Sequence, residues 1–186
     1  MPEPTFDPPP GWRAAAQEMH AHFERTDWSA TPLGPKDNWS ATLTLSVSMI
    51  LASAFPMALR WGPDFVLIYN DAYKPILGDK HGWALGKAAR EVWREVWDQI
   101  APAHHAIRSG NSPSIFTDDI VLRIQRHGAT WEDAHFTLGY SAIKDATAAT
   151  GVGGVLVIAV EITDRIAAQE ALRSTSQALA GTRGSE

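Results

Sequence analysis

Three extended runs close the sequence, and their succession constrains the fold more than any other feature. Residues 114–126 place Phe116, Ile120, Leu122 and Ile124 on one face, residues 131–143 place Ala134, Phe136, Leu138 and Tyr140 on one face, and residues 152–162 are almost continuously apolar. Alternation with period two predicts a strand with one buried side, and a continuous β-branched run predicts a central strand covered on both. His127-Gly128 turns the chain between the first two runs, and residues 144–151, which lack large apolar side chains, separate the last two.

Before residue 114 the periodicity is mostly helical. Residues 1–10 are proline-rich and aperiodic, a loose arm. Trp12, Ala16, Met19 and Phe23 then recur at i, i+4, i+7 and i+11, one stripe of an amphipathic helix. Residues 27–39 are dense in Pro, Gly, Ser and Asp and put Asp37 or Asn38 at an N-cap position. A second helix carries Trp39, Leu43, Val47, Ile50 and Ala54 and stops at Phe55-Pro56. Two short strands, 57–61 and 65–69, flank the turn sequence Gly62-Pro63-Asp64 and form a hairpin. That hairpin ends in Asn70-Asp71, with one helical turn expected over 72–77, a loop over 78–86, a short helix over 88–93, and a longer helix over 97–109 closed by Gly110 and Asn111. No βα alternation exists to build a parallel sheet, so the chain reads as α+β. Five antiparallel strands with helices between the second and third leave a space between sheet and helices that holds either side chains or a ligand.

Composition excludes several functions. The net charge is −5, with sixteen Lys and Arg among 186 residues and no basic stripe, so nucleic acid is not expected as a direct partner. No apolar stretch approaches the roughly 20 residues of a membrane span, and the N-terminus lacks a signal-peptide pattern, so a cytoplasmic location is expected. There is no cysteine, which removes disulfides, thiolate metal sites, cysteine nucleophiles and thioether-linked chromophores together. The eight tryptophans suit a core or a cavity wall.

Catalytic patterns are weak. Asp118-Asp119 and Glu132-Asp133 are neighbours that point to opposite sides of a strand, so neither pair holds a substrate between its carboxylates. Gly151-Val152-Gly153-Gly154 precedes a strand, where a phosphate cradle precedes a helix. His20 and His22 do not share a helix face, and no metal site is expected.

Four linked stretches carry a family resemblance. "DWSATPLGP" followed by Trp39, "FPMALRWGPDFVLIYNDAYKPILGDKH", "GKAAREVWREVWDQI" and "GVGGVLVIAVEITDR" together resemble the PAS sensory domains found at the N-terminal end of bacterial sensor histidine kinases. The resemblance spans about residues 27–165. It implies a five-stranded antiparallel sheet with helices on one face, flanked by N-terminal helices (1–54) around a core (55–163) and followed by a C-terminal linker helix (164–186). It also implies a sensory input role that relays a bound small molecule or partner to an output module such as a histidine kinase. The kinase phosphoacceptor and ATP-binding motifs are absent, so this chain is not expected to be an enzyme.

For the cavity, the hairpin corner and the alternation at Phe136 nominate Trp61, Tyr69, Asn70, Tyr73, Ile76, Trp93 and Phe136. Asn70 has a competing role as a corner cap. For signal exit the resemblance nominates Glu161, Thr163, Asp164 and Arg165, with Glu161 where the family more often has Asp and Thr163 as a helix N-cap. The expected cofactor is none or an unknown small molecule. Haem would need an axial ligand such as His104 or His105, of which at most one can face the cavity, and is not expected. A homodimer through the flanking helices and a downstream output domain are the expected partners. The tail repeats Ala168, Leu172, Thr175 and Leu179 at a weak coiled-coil spacing. Two rivals remain at this point, a structural dimerisation module with a filled cavity and a small enzyme on a related α+β cavity.

Overall fold

The computed structural model describes residues 17–182. Helices α1 (Glu18–Arg25) and α2 (Ala41–Ala52) precede the hairpin β1 (Met57–Trp61) and β2 (Val66–Tyr69). Three four-residue helices follow, α3 (Lys74–Leu77), α4 (His81–Ala84) and α5 (Ala89–Val92), and then α6 (Trp97–Arg108). Strands β3 (Ser114–His127), β4 (Thr130–Lys144) and β5 (Val152–Glu161) complete one sheet, and α7 (Thr163–Thr182) leaves it. Residues expected as a loop over 78–86 are largely helical, because the Gly78–Lys80 3₁₀ turn runs straight into α4.

The sheet is open and antiparallel in the order β2-β1-β5-β4-β3, the PAS-like α+β arrangement that the resemblance implies. Ala58 pairs with Tyr69 and Val157, and Val157 with Tyr140, so these four share one face. Helix α6 packs on this inner face. Leu59 and Trp61 point the other way, and α2 covers them through Leu43, Val47, Ile50 and Leu51. The cover does not reach the whole outer face. Strand β5 is buried from Val152 to Val155, but Ile158 and Val160 are each 38% exposed, so it is covered on both sides only in its first half.

Strand β3 departs from the sequence alternation for a geometric reason. Thr117 pairs with Leu138 and Ile120 with Phe136, so two residues of β3, Asp118 and Asp119, oppose the single Thr137 of β4, a bulge. The extra residue flips the face. Leu122 and Ile124 are buried, whereas Phe116 is 65% exposed on the outer face and Ile115 takes the inner side.

In the N-terminal region, Met19 and Phe23 are buried within this chain. The rings of Phe23, Trp28 and Trp39 pack against one another tilted or edge-on, with centroid separations of 4.9 Å (Phe23–Trp28), 5.8 Å (Phe23–Trp39) and 5.1 Å (Trp28–Trp39), while the Trp28 indole donates to the Phe23 carbonyl. The Met19 amide donates to Asp71, and Lys74 pairs with Glu18 at 2.5 Å, fixing α1 to the hairpin corner. Trp12 and Ala16 lie outside the described residues. The N-cap of α2 is Ser40, which accepts from the Leu43 amide, rather than Asp37 or Asn38, because Lys36–Asn38 form their own 3₁₀ turn. Helix α2 ends at Ala52, before Ala54.

Candidate functional site

The corner where β2 ends is a closed knot of hydrogen bonds. Asn70 has no solvent exposure; its amide nitrogen donates to the Ser53 and Phe55 carbonyls, and its oxygen accepts from the Met57 and Tyr73 amides. All its usual capacity is used in joining the end of α2, the start of β1 and the 3₁₀ turn Asp71–Tyr73. Asn70 therefore caps the corner and does not line the cavity.

Beyond that corner lies an internal cavity between the sheet and the middle helices. The sheet contributes Arg60, Phe136, Leu138, Tyr140, Val157 and Ala159, and the helical side contributes Tyr73, Ile76, Trp93, Val96 and Ile100. Its free volume is about 20 Å³, room for about one water. Of the seven residues nominated from sequence, Tyr73, Ile76, Trp93 and Phe136 come together here.

Two others are turned elsewhere. Tyr69 lies on the inner face 6.0 Å from the Tyr73 ring, but its hydroxyl donates to the His81 carbonyl at 3.1 Å and lies 2.9 Å from His81 Nδ1. Burial raises its pKa above the ordinary tyrosine range. Trp61 is on the opposite face from its neighbour Arg60, as strand alternation requires. Its indole lies against the backbone of β5, where a Cβ at Gly153 or Gly154 would come within 2.5 Å of the ring. Those glycines thus admit an indole.

Sequence reasoning missed the cavity's polar centre. Arg60 is 3% exposed and His104 has no exposure. Arg60 NH1 donates to His104 Nε2 at 2.5 Å, and His104 Nδ1 donates to the Ile100 carbonyl at 2.8 Å, which fixes the neutral tautomer. Burial, reinforced by the Arg60 charge, brings the His104 pKa down to about 2. Both ring nitrogens are engaged, so His104 is not a free axial ligand; His105 is exposed. Tyr140 packs edge-on against His104 at 4.8 Å, and burial raises its pKa to about 12. A readable signal did exist, since Arg60 is the lone charge in the strand Met-Ala-Leu-Arg-Trp and shares its inward parity with Ala58.

A second polar centre lies where β5 meets α7. Arg126 forks onto Glu161 at 2.6 and 2.8 Å and onto Glu132 at 2.6 and 3.1 Å, and its NH1 also reaches the Pro75 carbonyl of α3 at 3.5 Å. Hydrogen bonding to Glu161 raises the Arg126 pKa further, and Arg126 holds the Glu161 carboxyl below its ordinary value. The Thr163 hydroxyl donates to Glu161 and accepts from the His135 amide, so it ties α7 to the sheet instead of capping the helix in the expected way. Asp164 and Arg165 are exposed. Gly78 brings α3 against this centre: its φ is +55°, and a Cβ there would collide with the Arg126 carbonyl oxygen. The paired carboxylates noted in the sequence are structural, with Glu132 on Arg126, Asp133 4.0 Å from Arg123, and Asp118 and Asp119 in the bulge. Among the described residues no three His, Asp or Glu side chains cluster as a metal site, and no helix is long and apolar enough to cross a membrane.

No family model and no curated protein matches this sequence. Solved structures do show likeness. The PAS domain of Bordetella pertussis BvgS aligns over 73% of this chain and 97% of its own length, with 18% identity and a TM-score of 0.45. A sensory box sensor histidine kinase from Vibrio cholerae aligns over 65% of this chain and 91% of that one, with 18% identity and a TM-score of 0.43. An RNA-binding Light-Oxygen-Voltage receptor aligns over 84% of this chain, with 17% identity and a TM-score of 0.49, and this chain spans 43% of it.

Proposed function

We propose that this chain is a PAS-type sensory input module, without catalytic activity, whose internal cavity takes a small molecule and whose α7 passes the result to an output module. The observation that carries the reading is the shared position of Arg126. It touches α3, whose Ile76 lines the cavity, and it grips Glu161, which is bonded to Thr163 at the foot of α7. A shift of α3 on ligand entry therefore alters the hydrogen bonds that orient α7. Helix α7 suits a relay because it makes few contacts beyond its first turn, and Leu172 is 70% exposed.

Cysteine is absent, so a single spin label can be installed at Leu172→Cys without background. Filling the cavity with Ala159→Phe is expected to change the mobility of that label in the wild-type background and leave it unchanged when Arg126→Met is also present. An unchanged label in both backgrounds contradicts the relay.

A second reading, a module that pairs two copies, is favoured by the outer face of the sheet. Phe116, Gly139, Ile158 and Met57 pair in register across β3, β4, β5 and β1, with Phe116 and Ile158 exposed. Met19 and Phe23, on the apolar stripe of a flanking helix expected to pair, are already buried within one chain, so the pairing surface of this reading is the sheet. Sedimentation of a dimer that Phe116→Glu converts to monomer supports it, and a wild-type monomer at tens of micromolar removes it.

A further inference from the structure

Among the described residues Arg60 is a buried cation with no anion. The residue is 3% exposed, and among the described residues its one polar partner is the neutral His104 and it forms no ion pair. Removing a charge from water costs several kcal/mol unless a counter-charge and hydrogen bonds compensate. Arg126 sits on two carboxylates and Lys80 on Glu95, although both are less buried than Arg60. Arg60 has no such partner among the described residues.

The same cavity carries a second unmet donor. Arg60 Nε and Trp93 Nε1 are both buried without a hydrogen-bond partner, and both side chains line the space. Lys80 sits 4.4 Å from the centre of the Trp93 ring and is itself held by Glu95, so the indole is braced from its other neighbours. The rest of the wall is mainly apolar, with Ile76, Ile100, Leu138, Phe136 and Val157, and adds the phenols of Tyr73 and Tyr140, whose hydroxyls both donate and accept. The cavity is therefore positive, rich in donors and lined by no carboxylate. A water can satisfy one donor but leaves the charge uncompensated. A carboxylate is negative, offers about four lone-pair sites and donates nothing.

We propose that the cavity takes a small organic acid whose carboxylate pairs with Arg60 and accepts from the Trp93 indole, with its apolar body against Phe136, Leu138 and Ile100. This rests on the reading of the cavity as a ligand site and adds its chemical class. Size adds a second requirement. The free volume is about 20 Å³, so the acid enters only as the wall moves, and the shortest helix in the wall is the four-residue α3, which contributes Ile76. Ligand charge thus selects at Arg60, and ligand volume displaces α3, which touches Arg126 through the Pro75 carbonyl.

The test uses purified full chain with benzoate and hexanoate, each against its neutral isostere, benzamide and hexanamide, followed by calorimetry and by the thermal midpoint. Carboxylates are expected to bind in the millimolar range or tighter, with the amides weaker by at least about 10-fold, and Arg60→Met is expected to abolish the difference. Arg60→Gln, which keeps a donor for His104, serves as the second variant should the first fail to fold, and it must lose the preference too. Equal binding of acids and amides overturns the anion class while leaving the cavity as a ligand site. Acid binding that survives both Arg60 variants overturns the proposal by placing the acids elsewhere. Binding of neither class overturns this inference and the ligand-site reading together.

Discussion

Acidification should weaken this fold through His104 more than through any exposed histidine. In the folded chain the ring is buried against Arg60 from β1, Tyr140 from β4, and Phe65 and Trp97, with His105 beside it on α6. It takes no proton until about pH 2, against an ordinary value of 6.5. Once the chain unfolds, the ring protonates at that ordinary value. Below it the unfolded state binds the extra proton, so stability is complete above pH 6.5 and falls as the pH drops. Each pH unit within this window costs about 1.4 kcal/mol, so a fall of about two units from the ordinary value costs about 2.7 kcal/mol. This magnitude depends on the unfolded pKa and holds wherever the folded value lies well below the window.

The assay is urea unfolding, followed by tryptophan fluorescence, at steps from neutral pH down through that window. His104→Gln is the control, since its side-chain oxygen can accept from Arg60 and it does not titrate. The variant is expected to be less stable at neutral pH and to lose about 2.7 kcal/mol less than the wild type across the window. The lowered His81 contributes with the same sign in both proteins and cancels in the difference. Parallel pH profiles would refute the buried, neutral His104.

Other expectations follow from single contacts. Gly78→Ala forces a side chain onto φ +55° and into the Arg126 carbonyl, and should cost about 1 to 3 kcal/mol by chemical denaturation. Asn70→Ala strips partners from four backbone groups at one corner and should cost about 2 to 4 kcal/mol in the same measurement. Gly153→Ala pushes the Trp61 indole off β5, with a loss of about 1 to 3 kcal/mol and a red shift in tryptophan emission. Met19→Glu buries a carboxylate inside one chain, so the thermal midpoint should fall whether or not the protein self-associates.

The elements with undisturbed periodicity were legible. The inward set of β4, Ala134, Phe136, Leu138 and Tyr140, is buried as its alternation requires, and the helices 41–52 and 97–108 fall within the stretches the sequence marks, the first by apolar spacing over 39–54 and the second by Gly110 and Asn111 after 97–109. Phe116 was not legible, because a bulge at two aspartates changes parity without changing composition, and the side-chain period of a strand cannot register an unpaired residue. Trp61 misled for the opposite reason. The one charge in its strand, Arg60, faces inward, so alternation marked the wrong side as outward, and the glycines that receive the indole lie about ninety residues away in β5. The cavity's centre was hidden by the usual prior on charged residues. Neither Arg60 nor His104 carries a pattern that marks it as interior until the sheet turns one inward and α6 buries the other. Their pairing leaves one requirement unmet, because the neutral imidazole supplies the cation with a lone pair and no counter-charge. Such a pair holds a cavity open to an anion without rewarding collapse onto an apolar core, because packing hydrocarbon against Arg60 would deepen its desolvation. The same physics that made Arg60 an improbable core residue in sequence makes it the place where a ligand's charge has its largest effect on the fold.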